Sequence, residues 1–90
     1  MSHTAIGAMV PRRRVTVTGE IVKVRSFTKP WVRTDADLDD GTGTVTLRFV
    51  GRAQVPGVVP GQRMLAHGTA ALDEGGLVIS NPIYSFVTEG

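Results

Sequence analysis

Apolar and polar residues alternate along positions 44–49 of the chain, where the sequence reads TVTLRF. Successive side chains of a β-strand point to opposite faces, so Val45, Leu47 and Phe49 are expected to face a core while their polar neighbours face outward. The preceding sequence DDGTG at positions 39–43 is typical of a tight turn, because glycine adopts the positive φ that such turns require. The pattern predicts a hairpin turn followed by a half-buried strand.

Similar patterns predict further strands, whose approximate ranges are 15–24, 31–38, 62–72, 77–80 and, as an edge or closing segment, 83–86. In the first strand the apolar positions slip after Gly19 to Val22 and Val24, which predicts a β-bulge. Prolines and glycines at 51–61 exclude a long helix there and predict an ordered loop or a short helical turn. Five short strands without a helical period indicate a small barrel or sandwich.

The 90 residues, of which 41% are hydrophobic, are enough for one small globular domain. We expect residues 1–12 to form a mobile lead-in and residues 13–90 to form the domain. The chain has no cysteine, which excludes disulfides and thiolate metal sites and fits a reducing compartment. No stretch approaches the ~20 apolar residues of a membrane span, and residues 1–10 lack a secretory-signal pattern. A cytoplasmic protein without membrane contact is the expectation.

Basic residues are concentrated in one part of the chain: nine of the ten lie between Arg12 and Arg52, although the net charge is only +2. Every second position from 23 to 33 is basic or aromatic, namely Lys23, Arg25, Phe27, Lys29, Trp31 and Arg33. An extended chain places alternate positions on one side, and Arg48 is expected on the outward face of the neighbouring strand. Cations for phosphates and flat rings for bases predict a cationic groove for single-stranded nucleic acid. The alternative is that Trp31 caps the barrel end and the arginines only solvate a face.

The sequence contains few of the residue patterns that enzymatic catalysis requires. His3 lies in the lead-in, and His67 lies within the fourth predicted strand, where a lone histidine is usually structural. The sequence contains neither Gly-x-Ser-x-Gly nor Gly-x-x-x-x-Gly-Lys, the patterns of a nucleophile turn and a phosphate-binding loop. We expect no enzymatic activity and no cofactor.

Four carboxylates within six residues, Asp35, Asp37, Asp39 and Asp40, form the candidate metal site. Oxygen ligands suit Mg²⁺ and Ca²⁺, and the spacing nearly fits an EF-hand loop. However, the twelfth position counted from Asp35 is Thr46 instead of glutamate, and the flanking segments are predicted strands. We therefore expect no metal; the favoured interpretation is a polar strand face and a turn, with Asp35 or Asp37 paired with nearby arginines.

Three motifs extend across the chain. They are Val15-x-Val17-x-Gly19-x-Ile21-x-x-Val24, Leu38-x-Asp40-Gly41-Thr42-Gly43-x-Val45-x-Leu47-x-Phe49 and Leu77-Val78-Ile79-x-Asn81-Pro82-x-Tyr84. Together they resemble the OB-fold group that includes anticodon-binding and helicase wedge domains. The last motif is similar to the end of the wedge domain in RecG-type DNA helicases, and the chain looks like a small stand-alone OB protein of a kind common in actinobacteria. The resemblance implies an all-β, five-stranded Greek-key OB-fold barrel.

The resemblance also implies a binding surface on the second and third strands, bordered by the loops between strands one and two and between strands four and five. Carried over by position, this surface comprises Lys23, Arg25, Phe27, Lys29, Trp31, Arg33, Thr46, Arg48 and Arg52. The implied function is non-enzymatic binding of single-stranded or branched DNA, with RNA as an open alternative. The loop at 73–76 reads DEGG, and its negative charge would repel phosphate. A protein-interaction or assembly module, with Phe86 and Val87 extending an edge for pairing, is the other alternative.

Overall fold

Over residues 3–88, the part of the chain that the computed structural model describes, the protein forms six β-strands. The strands are β1 (Arg14–Phe27), β2 (Arg33–Asp39), β3 (Thr44–Val50), β4 (Arg63–Asp73), β5 (Gly76–Ser80) and β6 (Ile83–Phe86). The five predicted strands are confirmed, and the predicted edge segment is a strand of its own. Before β1, Ile6–Ala8 form one turn of 3₁₀ helix. No helix within residues 3–88 is long and apolar enough to span a bilayer.

Five of these strands close into a ring. β1 pairs antiparallel with β2 and with β4, and β2 pairs antiparallel with β3. β3 and β5 pair in parallel, and the antiparallel pairing of β4 with β5 completes the ring β1-β2-β3-β5-β4. β6 pairs with the part of β4 that precedes the β5 pairing. The architecture is therefore the all-β Greek-key barrel of OB type that the sequence predicts, in which closure removes the open edges of the ring.

β1 contributes to both halves of the barrel because it bends at a bulge. Its first half pairs with β4 and its second half with β2, and the register with β2 shifts directly after Ile21. Ile21 and Val24 both pack against the core, so one residue between them must be looped out. The predicted bulge is confirmed, but its position is wrong: Val22 is looped out and 50% exposed. Gly19 instead allows a close approach, because a Cβ there would lie 2.5 Å from the carbonyl oxygen of Asp39.

The core inside the ring is apolar. The inward positions predicted for β3, Val45, Leu47 and Phe49, are all buried. The segment before β1 and each of the five ring strands contribute large, fully buried apolar side chains, which include Ile6, Ile21, Leu38, Leu47, Met64 and Ile79. The loop between β3 and β4 contains no helix, and it adds Val55 and Val58 to the core. Removal of this apolar surface from water is the main force that stabilises the barrel.

The segment before β1 packs against the barrel. Ile6 and Met9 are 1% and 8% exposed and belong to the core. The backbone N–H of Ile6 donates to Asp40 Oδ2 over 2.9 Å, and that of Gly7 donates to Thr42 Oγ1 over 2.9 Å. The boundary predicted at residue 12 therefore does not coincide with the edge of the core. Residues 1 and 2 of the predicted lead-in lie outside the described part of the chain.

Candidate nucleic-acid interface

A polar groove of about 370 Å³ lies on the outer face of β2 and β3, between the end of β1 and the turn that joins β4 to β5. Five of the nine predicted site residues line it, and they are Arg25, Phe27, Arg33, Thr46 and Arg48. Carboxylates line the same space, namely Asp35, Asp37, Asp73 and Glu74. The structure thus brings the strand residues of the predicted surface together, and it adds acidic neighbours to them.

The strand register explains this convergence. Arg25 lies opposite Asp35 in the β1–β2 pairing, and Phe27 lies opposite Arg33. On the other edge of β2, Asp35 lies opposite Arg48 of β3. Cross-strand partners share a face of the sheet, so these residues project from the barrel side by side. The predicted alternation is therefore confirmed for Arg25, Phe27 and Arg33.

Arg48 is held by two carboxylates at the centre of the groove. Its Nε and Nη2 donate to Oδ1 and Oδ2 of Asp35 over 3.0 and 3.1 Å, which is a bidentate pair. Its Nη1 donates to Asp73 Oδ2 over 3.0 Å. The hydrogen bonds to Asp35, more than the one to Asp73, raise the pKa of Arg48 although burial opposes them. Asp35 is only 3% exposed, so its charge requires this partner.

The other two arginines of the groove are also paired. Arg25 Nη2 donates to Asp37 Oδ1 over 2.6 Å, and Arg33 Nε lies 3.6 Å from Asp35 Oδ2. The predicted pairing of Asp35 and Asp37 with nearby arginines is confirmed. The expectation of a cationic groove is wrong, because arginines and carboxylates alternate across its floor. The positive charge of the sequence run is neutralised by aspartates that occupy the same outward face of β2.

Two aromatic rings flank the Arg33 side chain. The guanidinium carbon of Arg33 lies 4.3 Å from the ring centroid of Phe27 and 5.4 Å from that of Trp31. Both distances are within the range of cation–π attraction. Trp31 is 50% exposed and is not part of the buried core, so it does not cap the barrel. A partly exposed indole therefore lies beside Arg33, which lines the groove.

The remaining predicted residues, Lys23, Lys29, Trp31 and Arg52, do not line the groove. Lys23 lies on β1 next to the bulge, and Arg52 lies in the loop after β3, where its carbonyl oxygen accepts from Thr34 Oγ1. Lys29 and Trp31 belong to the loop between β1 and β2, in which the Lys29–Pro30 peptide bond is cis. Because that loop is not a strand, alternate positions need not share a side. The three cations are exposed and have no carboxylate partner within residues 3–88.

Asp73 is the groove residue that sequence reasoning missed. The acidic loop was expected to border the surface and repel phosphate, but no pattern in the sequence indicates that Asp73 contacts Arg48. Its Oδ1 also accepts from the backbone N–H of Glu74 over 2.8 Å. This bond from Glu74, followed by the bond from Arg48, lowers the pKa of Asp73. The contact between Asp73 and Arg48 is formed only by the tertiary fold, because β3 and the β4–β5 turn are distant in sequence.

The carboxylates of Asp39 and Asp40 accept hydrogen bonds from backbone N–H groups of the turn and of the segment before β1. Asp39 Oδ1 accepts from the N–H of Gly41 over 2.7 Å, and Asp40 Oδ1 accepts from the N–H of Thr42 over 2.8 Å. Burial raises the pKa of Asp40, but the hydrogen bonds from Ile6 and Thr42 outweigh it, so the pKa lies below its ordinary value. Among residues 3–88, no three histidine, cysteine or acidic side chains are grouped so that they could hold a metal ion.

His67, the histidine of β4, forms a 2.7 Å hydrogen bond between its Nδ1 and the hydroxyl of Thr16 on β1. These residues are opposite each other in the β1–β4 pairing, on the outside of the barrel. His67 does not line the groove. The bond joins two neighbouring strands, which is the structural role expected of a lone strand histidine.

The comparison with known proteins gives no relative from which a role could be transferred. Neither the models of known protein families nor the curated proteins contain a match to this chain. A function for this protein therefore has to be inferred from the residues in and around the groove.

Proposed function

We propose that the protein is a non-enzymatic nucleic-acid-binding module whose ligand is single-stranded DNA or a branched DNA with single-stranded parts. The observation that carries this proposal is the half-exposed indole of Trp31 beside Arg33, an arginine that lines the polar groove and also contacts the ring of Phe27. The resemblance to OB-folds of the anticodon-binding and wedge-domain group supports the same ligand class. The proposal includes a cytoplasmic location, with which the cysteine-free composition is compatible.

Stacking is the main attraction in this proposal. Trp31 is 50% exposed, so a base can cover the part of the indole that Arg33 leaves open. Stacking on an aromatic side chain contributes about 1–3 kcal/mol per base and tolerates every base type. The neighbouring guanidinium of Arg33 restricts the indole. A flexible single strand can present its unpaired bases to these groups, whereas a duplex keeps them stacked inside.

Phosphate contacts come from three exposed cations outside the groove, Lys23, Lys29 and Arg52, which we call the border cations because they lie on β1 and in the loops that adjoin β2 and β3. They have no carboxylate partner within residues 3–88, so a phosphate does not have to displace an ion pair from them. Arg25, Arg33 and Arg48 already face aspartates, which reduces their net attraction for phosphate. We therefore expect modest affinity and a salt dependence that reflects about three phosphate contacts, which for single strands is a slope of about −2.

Fluorescence anisotropy with a labelled oligothymidylate of about 15 nucleotides tests the proposal, since OB-folds contact roughly 4–16 nucleotides. Trp31→Ala is expected to raise Kd at least about fivefold, because one stacked base is worth ~1–3 kcal/mol. Ile83→Ala is the matched control, because Ile83 is a large apolar residue that is 71% exposed but lies outside the groove. Fork, duplex and RNA probes rank the ligand classes. An unchanged Kd for Trp31→Ala would contradict the proposal.

The border cations are tested with two triple variants that remove equal charge. One replaces Lys23, Lys29 and Arg52 with glutamine, and the other replaces the three consecutive arginines at 12–14. Only the first is expected to flatten the slope of log Kd against log salt concentration, by about 2. Equal changes in both variants would show that net charge alone, and not the groove, attracts the oligonucleotide.

A protein-interaction function remains the second candidate, and one observation favours it. β6 pairs with β4, and it exposes Ile83 and Phe86 at 71% and 41%, next to Val87 at 36%. An exposed apolar strand is a common surface for pairing with another chain. An apolar interface responds little to salt, whereas nucleic-acid binding weakens steeply as salt rises. A salt series therefore separates the two functions.

A further inference from the structure

The guanidinium group of Arg48 donates to two carboxylates that differ in their exposure to solvent. Nε and Nη2 are held by Asp35, whose side chain is 5% exposed, and Nη1 is held by Asp73, whose side chain is 45% exposed. Asp35 lies in the middle of β2, where the sheet fixes it. Asp73 is the last residue of β4, directly before the β4–β5 turn. Asp35 is fixed within the sheet, whereas Asp73 is at a strand end and nearly half of its side chain is exposed.

The tip of the turn has free space beside it. An added Cβ at Gly75 or Gly76 would have no atom within 4 Å, and the pairing of Asp73 with Gly76 is the last one of the β4–β5 ladder. Asp73 and Glu74 are exposed and line the groove from above. A displacement of the turn would therefore break the bond between Asp73 and Arg48 but leave the core intact.

Resting on the proposed function, we infer that Arg48 Nη1 is a phosphate site of this groove and that the carboxylate of Asp73 occupies it in the free protein. A phosphodiester oxygen and a carboxylate oxygen accept the same charge-assisted hydrogen bond from a guanidinium. Binding of the nucleic acid exchanges one acceptor for the other. Asp73 is thus an internal competitor that lowers the affinity of the groove.

The charges of the groove support this exchange. While the turn is in place, the groove lining has three arginines, Arg25, Arg33 and Arg48, and four carboxylates, those of Asp35, Asp37, Asp73 and Glu74. When the turn moves away with Asp73 and Glu74, one positive charge is in excess. Arg33 contributes to it as well, because Asp73 also interacts with Arg33 through space. The groove therefore becomes cationic only in the arrangement that accepts a phosphate.

The test compares Asp73→Asn with Glu74→Gln in the full chain. Both variants raise the net charge by one, but only the first removes the acceptor of Arg48. The amide oxygen of the first variant can still accept from the N–H of Glu74, so the turn is retained. With oligothymidylate, Asp73→Asn is expected to bind up to about fivefold more tightly than Glu74→Gln, since an exposed ion pair is worth at most about 1 kcal/mol. Its salt slope is expected to equal that of Glu74→Gln, because Arg48 contacts a phosphate in both complexes. Asp73→Ser repeats the test with a shorter side chain.

The outcomes separate the two proposals. If the parent binds in a Trp31-dependent way but Asp73→Asn and Glu74→Gln have the same Kd, the Arg48 site is wrong and the proposed function stands. If neither the parent nor Asp73→Asn binds any probe, both are wrong. If only Asp73→Asn binds, the competitor is stronger than the stacking, and both are supported.

Discussion

The four carboxylates between positions 35 and 40 belong to one acidic run, but they are neutralised in two different ways. Asp35 and Asp37 of β2 accept from arginine side chains of the neighbouring strands. Asp39 at the end of β2 and Asp40 of the following turn accept mainly from backbone N–H groups. The first pair arranges charged side chains on a surface, whereas the second joins segments of the chain. Identical residues with similar spacing therefore serve a candidate site in one place and the fold in the other.

The difference has a physical cause. In a strand, alternate side chains leave the same face and meet the side chains of the next strand. In a turn, the backbone N–H groups are not paired in a ladder, so a nearby aspartate bonds to them. Carboxylates with such partners have few lone pairs left for a metal ion. The run therefore resembles a calcium-binding loop only in the spacing of its aspartates along the sequence.

The largest effect is expected from breaking the strand pair. Arg48→Ala leaves the carboxylate of Asp35 buried without its bidentate partner, which costs about 3–5 kcal/mol of unfolding free energy. Urea denaturation followed by circular dichroism measures the change. Arg52→Ala is the control and is expected to stay within about 0.5 kcal/mol, because Arg52 is exposed. Equal midpoints for the two variants would contradict a structural role for the pair.

A smaller effect is expected from the turn. Asp40→Asn retains one oxygen acceptor, so it cannot accept from both Ile6 and Thr42 as the carboxylate does. The expected loss is about 1 kcal/mol, since the bond is charge-assisted but partly exposed. Hydrogen exchange of the Ile6 amide is expected to accelerate more than exchange within β3. Unchanged protection of that amide would show that Ile6 is held by packing alone.

The smallest effect is a dependence on pH. The pKa of Asp40 is lower in the folded protein than its ordinary value of 3.8, so the folded state favours the ionised form. The resulting stabilisation is present above the unfolded value and is lost as the pH falls through the folded pKa. The difference in Tm between the parent and Asp40→Asn is therefore expected to shrink as the pH falls from about 5 to about 2.5. A difference that is constant over this interval would contradict the assignment.

Regular alternation made most of the barrel predictable. The sequence TVTLRF at 44–49 specifies both the strand and its inner face, because a register slip would expose the apolar set. The bulge in β1 was predictable, but not its position. Both a slip after Gly19 and a looped-out Val22 explain the pattern, and the partners on β2 decide between them. The packing of Ile6 was not predictable, since a single turn of 3₁₀ helix leaves no period in the sequence.

The candidate site was predictable only where strands form it. Alternation brings Arg25, Phe27 and Arg33 to one face, but it fails at Lys29, where the chain leaves the sheet. The charge of the groove was not predictable from the positions of the basic residues. The aspartates that neutralise these residues lie on the paired strand or, as Asp73 does, beside a turn that is distant in sequence.

The position of Trp31 has a practical consequence for experiments. It is the sole tryptophan of the sequence, and its indole lies outside the core beside the groove. Its emission should therefore change little when the barrel melts but should be quenched when a base covers the ring. The protein carries a built-in, label-free optical reporter that responds to occupancy of one surface.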